Sequence, residues 1–374
     1  MKNYKKKILI IGPFNESGGR EIEASFLCNT FKKKYDVTIA STEKLSDNNL
    51  IYKLTKSKNI FSKLKRTGFK FKILNYLFKD EISFRLNKSY KYSNYEKLIK
   101  EADVVFILAQ VVSSNIEKII EISSNYDKKI IFRTTGTNPI FDIQYLEKKM
   151  LISLMKVNTY IHHSIENYER LRKTFDHNFH IIDQTVYFNE KINKIKNIKK
   201  IKEFYCTSRI DQNKNLEIVV KVFNELKDLD VTLHIYGDGE SFEHIKSLSN
   251  SDKIFFYGYF EYENLIKKIS KHDCLIISSF EESGPYTALE AMALSKLILS
   301  TNVGAMKERL KKIPYRWQFE SNYTDSLKMR ILELIEYDEL EINSIQKKLR
   351  ERYLSYYSSE QIQDKYLKLL EKYC

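Results

Sequence analysis

The chain has 374 residues, which at about 150 residues per domain leaves room for two hydrophobic cores. With 43% hydrophobic and 30% charged residues it is not a disordered chain, and its four scattered cysteines form no C-x-x-C pair, which argues against a disulfide framework or a thiolate zinc site. A net charge of +14 points to an anionic partner: nucleic acid, a membrane surface or a phosphorylated small molecule.

In chain order, KILIIG over Lys7–Gly12 reads as a strand, and residues 20–34 as a helix with Ile22, Phe26, Leu27 and Phe31 on one face. Strands are expected over 36–40, 103–108, 129–133 and 159–162, with helices over 115–124 and 165–173 between them. The second half restarts at 203–207 and continues with strands over 231–236, 254–257, 274–278 and 297–300, separated by helices over 216–226, 264–271 and 287–294. Such alternation, with nearly continuous apolar strands, predicts two parallel sheets covered on both faces. The polar, lysine-rich 187–202 joins the halves, and after Tyr323 the pattern is helical to Cys374. No targeting segment is expected, because the apolar run after Lys7 stops at Gly12-Pro13, short of a signal core of about 7–15 residues.

Glycine is scarce, with only 10 residues, and all but Gly68 fall at or just past the end of an apolar run. In an open α/β sheet, ligands bind outside the carboxyl ends of the strands, so the glycines mark candidate loops. Three of these loops in the second half carry chemistry. Arg209 and Lys214 follow the strand over 203–207, and two cations beside a helix start suit a diphosphate. Gly237-Asp238-Gly239 makes a tight turn after the strand over 231–236. In the third loop a buried strand ends in Glu281-Glu282, a Gly284-Pro285 turn follows, and a helix opens near Tyr286. Free N–H groups there cradle phosphate, while Glu282 and Glu290, which would repel it, suit sugar hydroxyls. The combined reading is a ligand with both phosphates and sugars.

These motifs, in this order, resemble the retaining glycosyltransferase family 4-like enzymes of the GT-B superfamily (glycosyl transferases group 1). Glu282-x7-Glu290 followed by Ala291-Met292-Ala293 matches the family's most recognisable motif, and Arg209 with Lys214 its donor-diphosphate pair. Gly237-Asp238-Gly239, Gly258, Ser278-Ser279 and the segment from Val303 to Glu308 follow in order, and Gly18-Gly19 resembles its glycine-rich loop. The resemblance implies an α/β GT-B fold: two facing Rossmann-like, doubly wound parallel-sheet domains, with a C-terminal helix crossing back. The implied division is an acceptor domain over 1–187 with a basic aromatic insertion at about 51–95, a linker over 188–202, a donor domain over 203–345, and helices over 346–374 returning to the first domain.

The implied reaction moves a sugar from a nucleotide-sugar, UDP- or GDP-linked, to a hydroxyl of a glycan or lipid-linked acceptor with retention, without metal or other cofactor, in bacterial cell-surface glycan synthesis. Arg209, Lys214 and Glu282 are the implied catalytic residues; Gly18, Gly19, Gly237, Tyr259, Gly284, Tyr286, Thr287 and Glu290 would bind the donor, and Thr135, Gly136 and Thr137 would lie on the acceptor side. Three departures stand out. Gly284 and Pro285 replace the usual Phe-Gly, Ser208 replaces a glycine, and no histidine follows the strand over 129–133.

Residues 53–91 hold twelve basic and two acidic side chains, +10 of the net +14, interleaved with aromatics. That composition suits an anionic membrane surface on the cytoplasmic side as well as a plain solvated insertion. No nucleic-acid motif accompanies it. Asp228-Leu229-Asp230 spells a D-x-D but opens a strand after a helix, as a cap or turn far from the cleft, and His162-His163 has no third ligand at metal spacing. The competing readings are the same fold acting on a small soluble acceptor, and a degenerate nucleotide-sugar-binding subunit without catalysis.

Overall fold

The computed structural model describes residues 5–13, 19–41, 92–111, 115–135, 148–186 and 196–374. Gly18, Gly136, Thr137 and the basic segment over 53–91 lie outside the described residues. The chain divides into two compact units, Met1–Asp183 with Ile362–Cys374, and Gln184–Gln361.

The first unit runs β1 (Lys7–Gly12), α1 (Gly19–Phe31), β2 (Asp36–Ser41), α2 (Tyr92–Glu101), β3 (Val104–Ala109), α3 (Ile116–Asn125), β4 (Lys129–Thr134), α4 (Lys148–Leu154), β5 (Thr159–His162), α5 (Ile165–Arg172) and β6 (Phe179–Ile181). Its sheet is parallel throughout in the order β2-β1-β3-β4-β5-β6, so the chain reverses its direction of growth between β1 and β3. All of β3 and all but the first residue of β1 are buried, as strands covered on both faces require. Strand β6 carries no apolar run and was not legible as a strand. It is half-buried at the sheet edge, where the Tyr168 and Phe179 rings stack with centroids 3.6 Å apart.

The second unit runs β7 (Glu203–Thr207), a 3₁₀ turn (Gln212–Lys214), α6 (Leu216–Glu225), β8 (Thr232–Tyr236), α7 (Phe242–Ser247), β9 (Ile254–Phe256), α8 (Tyr262–Ile269), β10 (Cys274–Ile277), α9 (Tyr286–Ala293), β11 (Leu297–Ser300), α10 (Met306–Arg309), α11 (Thr324–Ile335) and α12 (Glu339–Tyr356). The parallel order is β11-β10-β7-β8-β9: the chain builds outward from β7 to β9, then crosses to β10 and β11 on the other side. The switch point therefore lies between β7 and β10, and that is where such sheets take ligands.

The C-terminal helices divide differently from the expected 346–374. Helix α12 belongs with the second unit because it is tied there by side chains: Gln346 donates to the Ser295 and Lys196 carbonyls, Arg350 to the Ala293 carbonyl and Arg352 to the Arg309 carbonyl. An Asp338–Glu341 capping box starts it. In the last helix, α13 (Ser359–Glu371), the stretch from Ile362 onward is part of the first unit. Its Tyr366 ring meets Phe31 and Phe106 edge-on at 6.0 and 6.2 Å, and Glu371 pairs with Lys34 at 2.6 Å.

Candidate functional site

The loops after β7 and β10 flank the switch point and are stitched together by Asn213. Its side chain donates to the Glu281 carbonyl at 2.9 Å and accepts from the Glu281 amide at 3.1 Å, while its own carbonyl accepts from the Phe280 amide at 2.9 Å. Ser278 adds a hydroxyl bond to the Lys214 carbonyl at 2.7 Å. This lattice brings Lys214 Nζ within 2.5 Å of Glu282 Oε1, which also accepts from the Ser279 hydroxyl at 2.8 Å. Arg209 stands further out with 79% of its side chain exposed, its Nε on Asp211 at 2.8 Å. Asp211 in turn caps the 3₁₀ turn by accepting from the Lys214 amide. Lys214 and Glu282 thus meet at the switch point, with Arg209 exposed further along the same loop.

The glycine loops close this edge of the sheet. Gly237 adopts φ +134°, and a Cβ there would sit 1.8 Å from the Ser208 carbonyl oxygen, so the β7 and β8 loops approach at a distance only glycine permits. Gly304, at φ +53°, passes under the Glu282 and Ser283 carbonyls with the same result. Gly284 lies over the buried Arg309 side chain. Pro285 is the N-cap residue of α9 and offers no side-chain cap, so the half-buried Tyr286 and Thr287 stand at the helix start. Anions are stabilised at such a helix start.

Glu290 is placed differently from an open contact residue: it is 2% exposed, one turn into α9. Burial pushes its carboxyl up to about 7, and a hydrogen bond from Tyr262 acts in the opposite sense. Tyr205 and Tyr286 complete a tyrosine surround drawn from β7 and α9. No sequence signal links Tyr262 to Glu290, because the two come from separate helices. Asn213 and Ser279 were present in the motifs, but their bonding across loops was not legible there.

Among the remaining candidates, Tyr259 is 63% exposed just after the Gly258 turn. Gly19 opens α1 at the carboxyl end of β1, and Thr135 is buried at the end of β4, its amide on the Ala109 carbonyl. The neighbouring strand end supplies His163, whose Nδ1 lies 2.7 Å from Arg133, while His162 meets Thr134 and His177. Asp230 pairs with Lys202 at the amino end of β8, remote from the loops described.

Among the described residues one group could hold a metal: Glu203, His234 and His272 bring ligand atoms within 4.8 Å of one another. Those ligands are already engaged. Glu203 pairs with Lys196 at 2.9 Å, both His234 nitrogens are hydrogen-bonded at 3.0 Å, and the two rings stack with centroids 4.2 Å apart. Glu203 begins β7, so the group lies toward the amino ends of the strands, away from the switch-point loops.

Comparison with known proteins agrees with this geometry. Residues 187–352 match the family described as "Glycosyl transferases group 1". The chain is 25% identical over 197 residues to the N-acetyl-alpha-D-glucosaminyl L-malate synthase of Bacillus anthracis, covering 50% of this chain and 51% of that protein. It is 28% identical over 130 residues to the uncharacterized glycosyltransferase MJ1178 of Methanocaldococcus jannaschii, covering 34% of this chain and 36% of that one. The match thus spans about half and about a third of these curated relatives. Among solved structures, Anabaena Alr3699/HepE in complex with UDP and glucose aligns with a TM-score of 0.72 at 13% identity, over 98% of this chain and 100% of that one. The lipopolysaccharide outer core galactosyltransferase WaaB aligns at 0.69 and 15% identity, over 98% and 99%. The two units have the parallel-sheet architecture of the GT-B fold, and residues 187–352 of the chain are similar to the glycosyl transferases group 1 family.

Proposed function

We propose that the protein is a glycosyltransferase that takes a sugar from a nucleotide-sugar donor and transfers it to an acceptor hydroxyl with retention of anomeric configuration. The observation that carries this reading is the Lys214–Glu282 pair at the switch point, with Arg209 on the same loop and the start of α9 following the Glu282 loop. Lys214 and Arg209 stabilise the charge that develops on the departing diphosphate, where preorganised cations act most strongly. The start of α9, at Tyr286 and Thr287, adds the positive end of a helix dipole beside the same phosphates. Glu282 accepts from hydroxyls of the transferred sugar and Glu290 from the ribose, with Tyr259 and the Gly237 loop bordering the nucleotide. We propose transfer without metal, Lys214 and Arg209 neutralising the diphosphate in place of a divalent ion.

The acceptor we propose is a glycan or lipid-linked hydroxyl at an anionic membrane, supported by the +10 charge of residues 53–91. Among the described residues no helix is long and apolar enough to cross a membrane. A second reading has a specific support: the Bacillus anthracis relative is named for an L-malate product, which favours a small acidic acceptor. Co-sedimentation with anionic vesicles separates the two, since salt-sensitive binding is expected only of the first.

The test of the donor site is a thermal-shift screen against UDP- and GDP-sugars in wild type, Arg209→Ala and Lys214→Met. Stabilisation by one donor, lost in both variants, is the expected result. Absence of any shift in the wild type would remove the donor-site assignment.

A further inference from the structure

We propose that the outer face of α4, formed by Lys148, Lys149, Ile152, Met155 and Lys156, is a contact surface for an anionic lipid membrane. The proposal rests on the membrane-acceptor reading above and names the surface that meets the lipid.

Helix α4 divides its residues between two sides. Leu154 and Ser153 are buried, and Met150 and Leu151 are half-buried against the core of the first unit. Helical bonding runs one residue past Leu154, because the Met155 amide donates to the Leu151 carbonyl at 3.1 Å. At about 100° per residue, Lys148, Lys149, Ile152, Met155 and Lys156 share the opposite side, within an arc of about 120°. All five are exposed, Ile152 at 50% and Met155 at 62%. Ile152 lies at the middle of the arc, with lysine on either side of it.

A solvated outer face ordinarily mixes acids with its bases. Here the stretch over 148–158 holds three lysines and no acidic residue. Lys149 reaches across to α3, where it lies 2.6 Å from Glu117 and 3.7 Å from Glu121. Lys148 and Lys156 pair with no acid among the described residues. The two acids of α3 therefore stand at one border of the face and are matched there by Lys149. What remains is an apolar pair framed by uncompensated positive charge, which complements anionic headgroups. Lysine stems lie along apolar surface while their ammonium groups reach the phosphates, and Ile152 and Met155 enter the boundary between headgroups and acyl chains. Protein interfaces are depleted in lysine, so three lysines within one arc favour lipid over a protein partner. The sequence of the same unit includes residues 53–91, with twelve basic and two acidic side chains, so a second stretch of it suits the same surface.

The experiment measures co-sedimentation with vesicles of phosphatidylcholine alone and of phosphatidylcholine with phosphatidylglycerol, at low and at high salt. The proteins are wild type, Ile152→Ser with Met155→Ser, and Lys148→Gln with Lys156→Gln, each with a melting curve. A control in the second unit, Met329→Ser with Leu332→Ser, removes another exposed apolar pair. Wild type and control are expected to bind only the anionic vesicles, and less at high salt. Both α4 variants are expected to bind them about tenfold more weakly with unchanged melting temperature. Undiminished binding in either α4 variant would overturn the proposal and leave the membrane reading to other residues. A wild type that binds neither kind of vesicle would overturn the membrane reading itself. If that wild type sediments as a dimer that Ile152→Ser with Met155→Ser splits, the face belongs to a second copy of the chain.

Discussion

Lys214 Nζ and Glu282 Oε1 are 2.5 Å apart, so the cation and the carboxylate assigned to the two ends of the donor hold one another. Both are largely shielded, with 19% and 16% of their side chains exposed, and Ser279 bonds the same carboxylate oxygen. On the proposed donor site, a diphosphate is expected to compete with Glu282 for Lys214 and so to release the carboxylate toward the sugar.

That competition has a measurable sign. Glu282→Gln removes the internal rival and is expected to tighten UDP or GDP roughly fivefold, about 1 kcal/mol, while lowering sugar transfer. Lys214→Met is expected to weaken the nucleotide and lower transfer together. Weaker diphosphate binding in Glu282→Gln would show that the pair supports the site and does not compete with the donor.

Two glycines in this edge of the sheet are expected to behave unlike each other. Gly237→Ala must move the Ser208 carbonyl from 1.8 Å, and backbone strain with overpacking is expected to cost about 3 kcal/mol. Gly258 has φ +70° but nothing within 4 Å of an added Cβ, so Gly258→Ala is expected to cost about 1 kcal/mol. Urea unfolding of both variants measures the difference, and equal losses would mean that the close approach at Gly237 is not what selects glycine.

Glu290 ties stability to pH. Its carboxyl titrates near the ordinary 4.5 when unfolded and is pushed up to about 7 when buried. Between those values the unfolded chain releases its proton while the folded chain retains it, so stability falls as pH rises from 4.5 to 7 and then levels off. The full loss is about 3 kcal/mol. Glu290→Gln, neutral throughout, is expected to flatten that limb of the stability curve and to be the more stable protein at pH 8. A limb of unchanged slope in the variant would assign the dependence to another group.

How much of this could be read from the letters varied with the physics of each element. The apolar runs of β1, β3 and β10 announced parallel, doubly covered strands, and the x7 spacing of Glu282 and Glu290 announced the loop–helix site. Strand β6 was hidden because an edge strand needs no apolar run, and α12 could not be assigned to a unit because its partners, Ser295 and Lys196, are far away in sequence. The burial of Glu290 was equally hidden, since its tyrosine surround comes from β7, α8 and α9. Arg309 stood in a quoted neighbourhood, yet nothing in a string shows that a charged side chain turns inward.

The same inward turn recurs in the first unit, where Arg133 is 0% exposed and its Nε donates to Glu23 at 2.6 Å. Its other nitrogens reach the Ile182 carbonyl and His163 Nδ1, and the Tyr366 hydroxyl of α13 lies 3.5 Å from the same Glu23 oxygen. Three strand ends and the C-terminal helix therefore share one buried charge pair. Removing one partner strands the other charge in the core, so Arg133→Met is expected to cost about 3–5 kcal/mol. Replacing both, as in Arg133→Met with Glu23→Leu, leaves no orphan charge and is expected to recover most of that loss. Urea unfolding of the two single variants and the double supplies the cycle. A double variant as unstable as the sum of the singles would show that the hydrogen bonds to Ile182 and Tyr366, and not the charge pair, hold α13 to the sheet.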